Sequence, residues 1–315
     1  MPLALNIIAR TNGVGLDRDV DLVHEIASKA GHRVAVSHCR SISPLRQFFP
    51  KSERYDANIF LERIFTRWLG SARRNILIPN QERFPERHIS RLRKIDHVFC
   101  KSQHALAIFQ EHHPSCHFTG FTSKDLYDGK IRRKPLSFLH LAGRSTLKGT
   151  ETILEIWQRR PDLPTLTLLQ CEENAPDSVP DNVNLLTDYL PDNEIARLYN
   201  EHTIHLCPSR SEGWGHYIVE AMACKALVIT TDGPPMNELV QPERGRIVTP
   251  NRTEARHIGT NYYADTALLE KAIDDAIADS PEHLASIGNK ARMWTIENQS
   301  RFEERFTECL QKLEI

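Results

Sequence analysis

Short apolar segments alternate with segments of helical periodicity along nearly the whole chain, and parallel α/β sheets are the architecture that accepts that alternation. Leu3 to Ala9 reads as a buried strand. After the polar turn Asn12-Gly13-Val14-Gly15, the residues Leu16, Val20, Val23, Ile26, Ala27 and Ala30 recur at helical spacing. Gly31 closes that helix and Arg33 to Cys39 supplies the next strand. A strand, glycine loop, helix and strand in that order imply a parallel pair. Further strands are expected at Ala57 to Leu61, Asn75 to Ile78, His97 to Cys100 and Cys116 to Thr119. Helical patterns fall around Phe65 to Ala72, Glu86 to Lys94 and Gln103 to His112.

At 315 residues the chain exceeds one ordinary core, so two domains are expected. The polar stretch Asp128-Gly129-Lys130-Ile131-Arg132-Arg133-Lys134-Pro135, closed by proline, reads as the linker. That places one domain at 1–134 and a second at 135–297. In the second, Leu136 to Leu141 leads through a glycine loop into a helix near Thr150 to Arg159. Strands follow at Leu166 to Gln170, Val183 to Leu186, Ile204 to Cys207 and Ala226 to Thr230, five in all, with a helix at Asp192 to Asn200. Leu268, Leu269, Ala272, Ile273 and Ile277 mark one later helix, and Leu284, Ile287, Ala291 and Trp294 another. A last amphipathic segment, about 298–315, carries Phe302, Phe306, Leu310 and Leu313 and is expected to pack back on the first domain. The expected fold is α/β, two Rossmann-like domains facing across a cleft, with ligands outside the carboxyl ends of the strands.

Composition narrows the setting. No stretch approaches the roughly 20 apolar residues of a membrane span. The opening Met1-Pro2-Leu3-Ala4-Leu5 lacks a basic lead and reads as the approach to a strand, so a cytoplasmic protein is expected. Seven cysteines without a CxxC pair point to buried thiols, not to a disulfide framework or a zinc ribbon. His112, His113 and His117 show no metal-ligand spacing, and no metal is expected. The net charge of -1 conceals an asymmetry: residues 1–134 hold 23 basic against 13 acidic side chains, and the remainder 17 against 28. Arg63, Arg67, Arg73, Arg74, Arg83, Arg87, Arg91, Arg93 and Lys94 concentrate the positive charge. Such a surface suits an anionic partner, a peripheral contact with the inner membrane face, or the acidic half of the same chain. Nucleic acid is disfavoured because basic and aromatic residues do not interleave.

Two constellations carry chemistry. In Ser209-Arg210-Ser211-Glu212-Gly213-Trp214-Gly215-His216-Tyr217-Ile218-Val219-Glu220-Ala221-Met222, a glycine loop after a strand opens a helix between two glutamates. Glycines admit close approach to the backbone, and a helix start supplies unpaired N–H donors, which suits an anionic or hydroxyl-rich ligand. Arg144 and Lys148, beside Gly143 and Gly149, stand four residues apart where a strand becomes a helix. A diphosphate fits them: arginine grips it in two-pronged fashion and lysine adds a mobile charge. Taken singly, each pattern also serves a structural purpose, the cations as a solvated pair and Glu212 as a complement to a helix dipole.

In order along the chain, Gly143-Arg144, Lys148-Gly149, Ser209 to Gly215 and Glu220-Ala221-Met222-Ala223, continued by Val228 to Gly233 and Asn237-Glu238-Leu239, resemble the retaining GT-B glycosyltransferases of the E-x7-E group. These are glycosyltransferase family 4-like, or glycosyl transferases group 1, and include lipopolysaccharide, capsule and mannosyl transferases of bacteria. The likeness spans roughly residues 137–240. It implies a GT-B fold and transfer of a sugar from a UDP- or GDP-sugar, with retention and without a metal or other cofactor. It implies catalytic roles for Arg144, Lys148 and Glu212, with the cations on the donor diphosphate and Glu212 on the donor sugar. Glu220 would accept from the ribose hydroxyls. Gly143, Gly213, Trp214, Gly215 and Tyr217 would line the donor, together with Gly13 and Gly15 of the first glycine loop. The base would lie near Leu190 and Pro191 or the Cys171 to Asn174 loop.

Departures from the group's pattern bear on the acceptor. Lys225-Ala226 stands where many relatives have a glycine, and Pro234-Pro235 where many have Gly-Gly. The strand Asp56 to Leu61 ends in Glu62-Arg63 where a histidine is common. The acceptor-site candidates are polar residues at strand ends and in the first glycine loop: Asp17 in the loop, Glu62 at that strand end, and Asn80 and Glu82 in the cluster Ile78-Pro79-Asn80-Gln81-Glu82. The expected acceptor is a glycan, glycolipid or lipid-linked hydroxyl compound of bacterial surface synthesis. An epimerase or hydrolase of nucleotide sugars, or an inactive nucleotide-sugar-binding protein, would share the same donor motifs.

Overall fold

The computed structural model of the protein describes residues 1–10, 15–43 and 54–313. Two compact units divide it: 1–124 with 255–259 and 298–315, and 125–254 with 260–297. The opening segment of the first unit ends at Lys124, ahead of the polar stretch read as a linker.

In the first unit, β1 (Ala4–Ala9), β2 (Arg33–His38), β3 (Tyr55–Glu62), β4 (Ala72–Pro79), β5 (His97–Cys100) and β6 (Cys116–Phe118) form one sheet in the order β2-β1-β3-β4-β5-β6. Every pairing is parallel. Parallel strands covered on both faces read as continuous apolar runs, and Leu5, Ile7 and Ile8 of β1 and Ile59, Phe60 and Leu61 of β3 are fully buried. Helices α1 (Gly15–Lys29) and α2 (Gln103–Gln110) lie among these strands, and the Ser102 hydroxyl caps α2 by accepting from the Ala105 N–H at 3.0 Å.

The second unit repeats the plan. β7 (Lys134–Gly143), β8 (Leu166–Gln170), β9 (Val183–Leu186), β10 (His202–Cys207), β11 (Leu227–Thr231) and β12 (Arg246–Val248) form a parallel sheet in the order β12-β11-β10-β7-β8-β9. The order reverses between β7 and β10, where an open α/β sheet places its ligand. Helices α3 (Thr150–Arg159), α4 (Asp192–Glu201), α5 (His216–Ala223), α6 (Met236–Leu239) and α7 (Thr266–Ala278) accompany it. Its core joins Phe138, Ile153, Trp157, Leu168, Ile204, Ile229, Leu269 and Ile273. Each such side chain contributes roughly 1.5–3 kcal/mol on burial.

Several expectations are corrected. Phe65 to Ala72 is not a helix: only Thr66–Trp68 makes a short 3-10 turn, and Ala72 already begins β4. Side chains hold that turn, Asn58 donating to the Trp68 carbonyl at 2.9 Å and Trp68 Nε1 to the Cys39 carbonyl at 3.3 Å. The second sheet has six strands, not five, because the short Arg246–Val248 joins its edge. A hairpin of β13 (Pro250–Arg256) and β14 (Gly259–Ala264) had no apolar alternation to reveal it, since β13 is exposed on both faces. The last two expected segments are one helix, α8 (Pro281–Gln311). After Gly288 the helix holds no glycine or proline, so nothing breaks it at the polar run Asn298-Gln299-Ser300. From Asn298 onward it belongs to the first unit, where Phe302 and Phe306 pack on Phe121 and Phe99 with ring centres 4.9 and 5.9 Å apart. The seven cysteines are free, and Cys39, Cys100, Cys207 and Cys224 are buried.

Candidate functional site

The site in the second unit grows from the carboxyl ends of β7 and β10. Leaving β7, Gly143 turns through a left-handed backbone at φ 56°, and the Cys171 N–H bonds its carbonyl at 2.9 Å. The next loop is tied to the one after β10, where the Arg210 N–H donates to the Leu147 carbonyl at 2.8 Å. Gly149 sits at φ 71° as the first cap of α3, and a Cβ there would lie 2.4 Å from the Pro208 carbonyl oxygen. No other residue fits, so this glycine brings the two loops together.

Between those loops lies a connected polar group. Lys148 Nζ bonds Glu212 Oε1 at 2.5 Å and stands 3.7 Å from the centre of the Tyr217 ring. The Ser209 hydroxyl donates to the same Glu212 oxygen at 2.5 Å, and its oxygen is 2.5 Å from the Tyr217 hydroxyl. Ser209 has one proton and gives it to Glu212, so Tyr217 is the donor to Ser209. Burial holds the Tyr217 hydroxyl far above its ordinary pKa, with Cys207 and Glu212 adding to the shift, so it stays a donor. Gly215, at φ 109°, caps α5, and the Ile218 N–H returns to its carbonyl at 3.0 Å. Gly213 and Trp214 are buried beside it.

Below this loop Glu220 has no exposed surface, and its Oε2 accepts from the Tyr199 hydroxyl at 2.8 Å. Tyr199 stacks on His205 at 5.4 Å. His140 is also fully buried: Nδ1 lies 2.7 Å from the Leu206 carbonyl and Nε2 2.9 Å from the Thr150 hydroxyl. A carbonyl only accepts, so Nδ1 carries the proton and Nε2 receives one from Thr150. Burial lowers this imidazole to about 4, against the opposing Leu206 bond and with help from the Lys148 charge. The neutral ring locks β7, β10 and the start of α3 in place.

Arg144 is exposed, and among the described residues only its carbonyl is engaged, by Asn174 Nδ2 at 3.3 Å. A cleft of about 220 Å³ opens beside it, lined by Thr146, Thr150, Glu151, Leu154, Gln170, Asn174 and Pro176. Gln170 is nearly buried there, and its Oε1 lacks a hydrogen-bond partner among the described residues.

The structure thus gathers Gly143, Arg144, Lys148, Glu212, Gly213, Trp214, Gly215 and Tyr217 into the linked loops, with Glu220 beneath them. Of the candidates in the first unit, Gly13 lies outside the described residues and Gly15 begins α1, with Asp17 in its first turn. Glu62 pairs with Arg63 at 2.6 Å, and Asn80 accepts from Lys101 Nζ at 3.0 Å. Glu82 is buried. Lys101, 2 % exposed and 2.6 Å from Asp19 Oδ2, was not anticipated. Neither were Tyr199 and His140. Their only signal is a polar group within an apolar run, which does not reveal a partner far along the chain. Among the described residues no cluster of histidine, cysteine or carboxylate suited to a metal occurs, and no helix is long and apolar enough to cross a membrane.

Comparison with known proteins bears on the fold. Residues 178–294 match the family described as Glycosyl transferases group 1. A glycosyltransferase from Rickettsia africae superposes with a TM-score of 0.75 at 14% identity, covering 99% of this chain and 100% of that one. Sucrose-phosphate synthase from Thermosynechococcus elongatus gives 0.74 at 16% identity over 98% of each chain. Anabaena HepE in complex with UDP and glucose gives 0.73 at 14% identity, covering 99% and 100%. No curated protein sequence matches.

Proposed function

We propose, from the match of residues 178–294 to the glycosyl transferases group 1 and a fold like that of GT-B glycosyltransferases, that the protein moves a hexose from a UDP- or GDP-sugar to a hydroxyl acceptor, with retention and without a metal. The observation that carries this reading is the Lys148–Glu212 pair, set by Ser209 and Tyr217 beside the exposed Arg144. The UDP and glucose bound by Anabaena HepE support a nucleotide-sugar donor.

Arg144 grips the diphosphate, and Lys148 turns from Glu212 toward it as charge builds on the leaving group. Glu212, released from full pairing, accepts from a hydroxyl of the donor sugar. The bond between the anomeric carbon and the phosphate oxygen breaks, the acceptor oxygen bonds the same face, and the phosphate takes the acceptor proton. Positioning and leaving-group electrostatics supply most of the rate. Glu220 already gives one oxygen to Tyr199 and is covered, so a ribose hydroxyl reaches it only when the loop at 213–215 yields. Exposed Tyr189, beside Leu190 and Pro191, offers a face on which the base stacks. Asp17, Glu62, Asn80 and Glu82 remain the acceptor-side candidates, for a glycan or glycolipid of the bacterial surface.

A panel of UDP- and GDP-hexoses with simple sugar acceptors tests the reading. Donor consumption that requires an acceptor, a product of retained configuration by NMR, and loss of turnover in Arg144→Ala and Lys148→Ala are expected. Consumption without an acceptor would make the protein a hydrolase or epimerase, and an inverted product would remove the retaining mechanism.

A further inference from the structure

A second charged constellation lies wholly in the first unit, at the carboxyl ends of β3 and β4. Glu62 and Pro79 are register partners at the ends of those strands, and Arg63 and the 3-10 turn Gln81–Arg83 follow them directly. The turn of the hairpin, residues 255–259, packs onto the same place: a Cβ on Gly259 would lie 3.3 Å from both Gln81 Cγ and the Glu82 nitrogen. Ile258 joins the core that holds Phe84 and Leu92. The Phe84 ring in turn meets His88 edge-on at 6.1 Å, within the 3-10 segment Glu86–Lys94 that carries Arg87 and Arg91. Strand ends, 3-10 segment and hairpin turn therefore bring Arg63, Arg83, Arg87, Arg91 and Arg256 to one place.

The two histidines there register the crowding. Burial, followed by the charges of Arg91, Arg87 and Arg63, holds His88 below the usual imidazole pKa. Burial, followed by Arg256, Arg63, Arg83 and Arg87, does the same to His257. Carboxylates offset only part of this field. Glu62 pairs with Arg63 at 2.6 Å and Glu82 approaches Arg83 at 3.9 Å, while Glu86 is exposed on the 3-10 segment. Among the described residues Arg87, Arg91 and Arg256 form no ion pair, and the buried Nε of Arg256 has no acceptor. The backbone is also strained here. Glu62 at φ 67° and His257 at φ 53° are the first unit's two non-glycine residues in the left-handed region among those described. Strain of this kind persists where the surroundings impose it, and it gathers at ligand sites.

We propose that Arg63, Arg83, Arg87, Arg91 and Arg256 form a phosphate-binding basin that holds a phosphate group borne by the sugar acceptor. Guanidinium forks match phosphate oxygens in pairs, and several of them without carboxylate partners supply the donors a phosphate monoester requires. The reading as a transferase enters only in naming the carrier of the phosphate. The basin would also explain why the basic excess of the first unit is concentrated between Arg63 and Lys94.

NMR titration of the two histidines in the whole protein tests the site without any turnover. Inorganic phosphate should raise the pKa of both His88 and His257, because a bound anion offsets the arginine charges. In Arg87→Gln/Arg91→Gln the phosphate Kd should weaken on the order of tenfold, one charge-assisted hydrogen bond being enough for that. The triple variant that adds Arg256→Gln should abolish the response. Glucose 6-phosphate should act like phosphate while glucose leaves the histidines unmoved.

Histidines that ignore phosphate, or that respond in the double and triple variants as fully as in the unaltered protein, overturn the basin. Response only to phosphatidylglycerol vesicles, with none to glucose 6-phosphate, overturns the assignment to the acceptor and gives the phosphate to a lipid headgroup. Thermal stabilisation by nucleoside diphosphates separates the two claims. Nucleotide binding with silent histidines leaves the transferase reading and removes the basin, whereas responsive histidines without nucleotide binding do the reverse.

Discussion

Gly149 shows how one residue can decide whether the donor loops meet. Its φ of 71° and the 2.4 Å that would separate a Cβ from the Pro208 carbonyl leave room for nothing larger. Gly149→Ala should cost about 2–4 kcal/mol, from left-handed strain together with displacement of the loop after β10. Urea denaturation checks this, and an unchanged midpoint would show that the loops are held by something else. At this scale the sequence was informative about identity and silent about pairing. The spacing of Arg144, Lys148 and Gly149 and the glycines around Trp214 marked residues that the fold brings onto linked loops. That Lys148 already rests on Glu212, or that Tyr199 occupies Glu220, depends on contacts between residues 64 and 21 positions apart, which no local pattern encodes.

Among the elements, α8 is the one whose local reading went furthest astray, and the cause is physical. Apolar residues facing two different cores, Ile287 and Ala291 in one and Phe302 and Phe306 in the other, looked like two short amphipathic segments. Helical hydrogen bonding runs through the polar stretch between them regardless. Phe306→Ala should remove about 3–5 kcal/mol from the first unit, since the ring is fully buried against Phe99. Hydrogen exchange should then accelerate in β5 and β6, and unaltered exchange there would contradict the packing. The parallel strands were legible because burial on both faces makes them uniformly apolar. The β13–β14 hairpin was not, because exposure on both faces of β13 leaves no periodicity to read.

For the whole molecule, acid should act through buried histidines. His140 titrates at about 4 when folded, and burial also depresses His202 and His205 in the same unit. Above the ordinary imidazole pKa neither folded nor unfolded chain carries these protons, and stability is complete. As pH falls from about 6.5 toward 4 the unfolded chain takes up a proton that folded His140 refuses, at a cost on the order of 3 kcal/mol. The urea midpoint should therefore fall between pH 7 and pH 5, and a constant or rising midpoint would refute the neutral buried ring. The alternation of strands and helices disclosed two α/β units, and the charge asymmetry disclosed that one is basic. What an ionic cluster does could be seen only once strand ends and a hairpin turn met. The donor site remains the central claim. Thermal denaturation with UDP, GDP and other nucleoside diphosphates tests it most directly: one of them at about 100 times its Kd should stabilise the protein by about 2.7 kcal/mol, and Arg144→Ala/Lys148→Ala should lose that gain. A flat response to every nucleotide, or full stabilisation of the double variant, would contradict it.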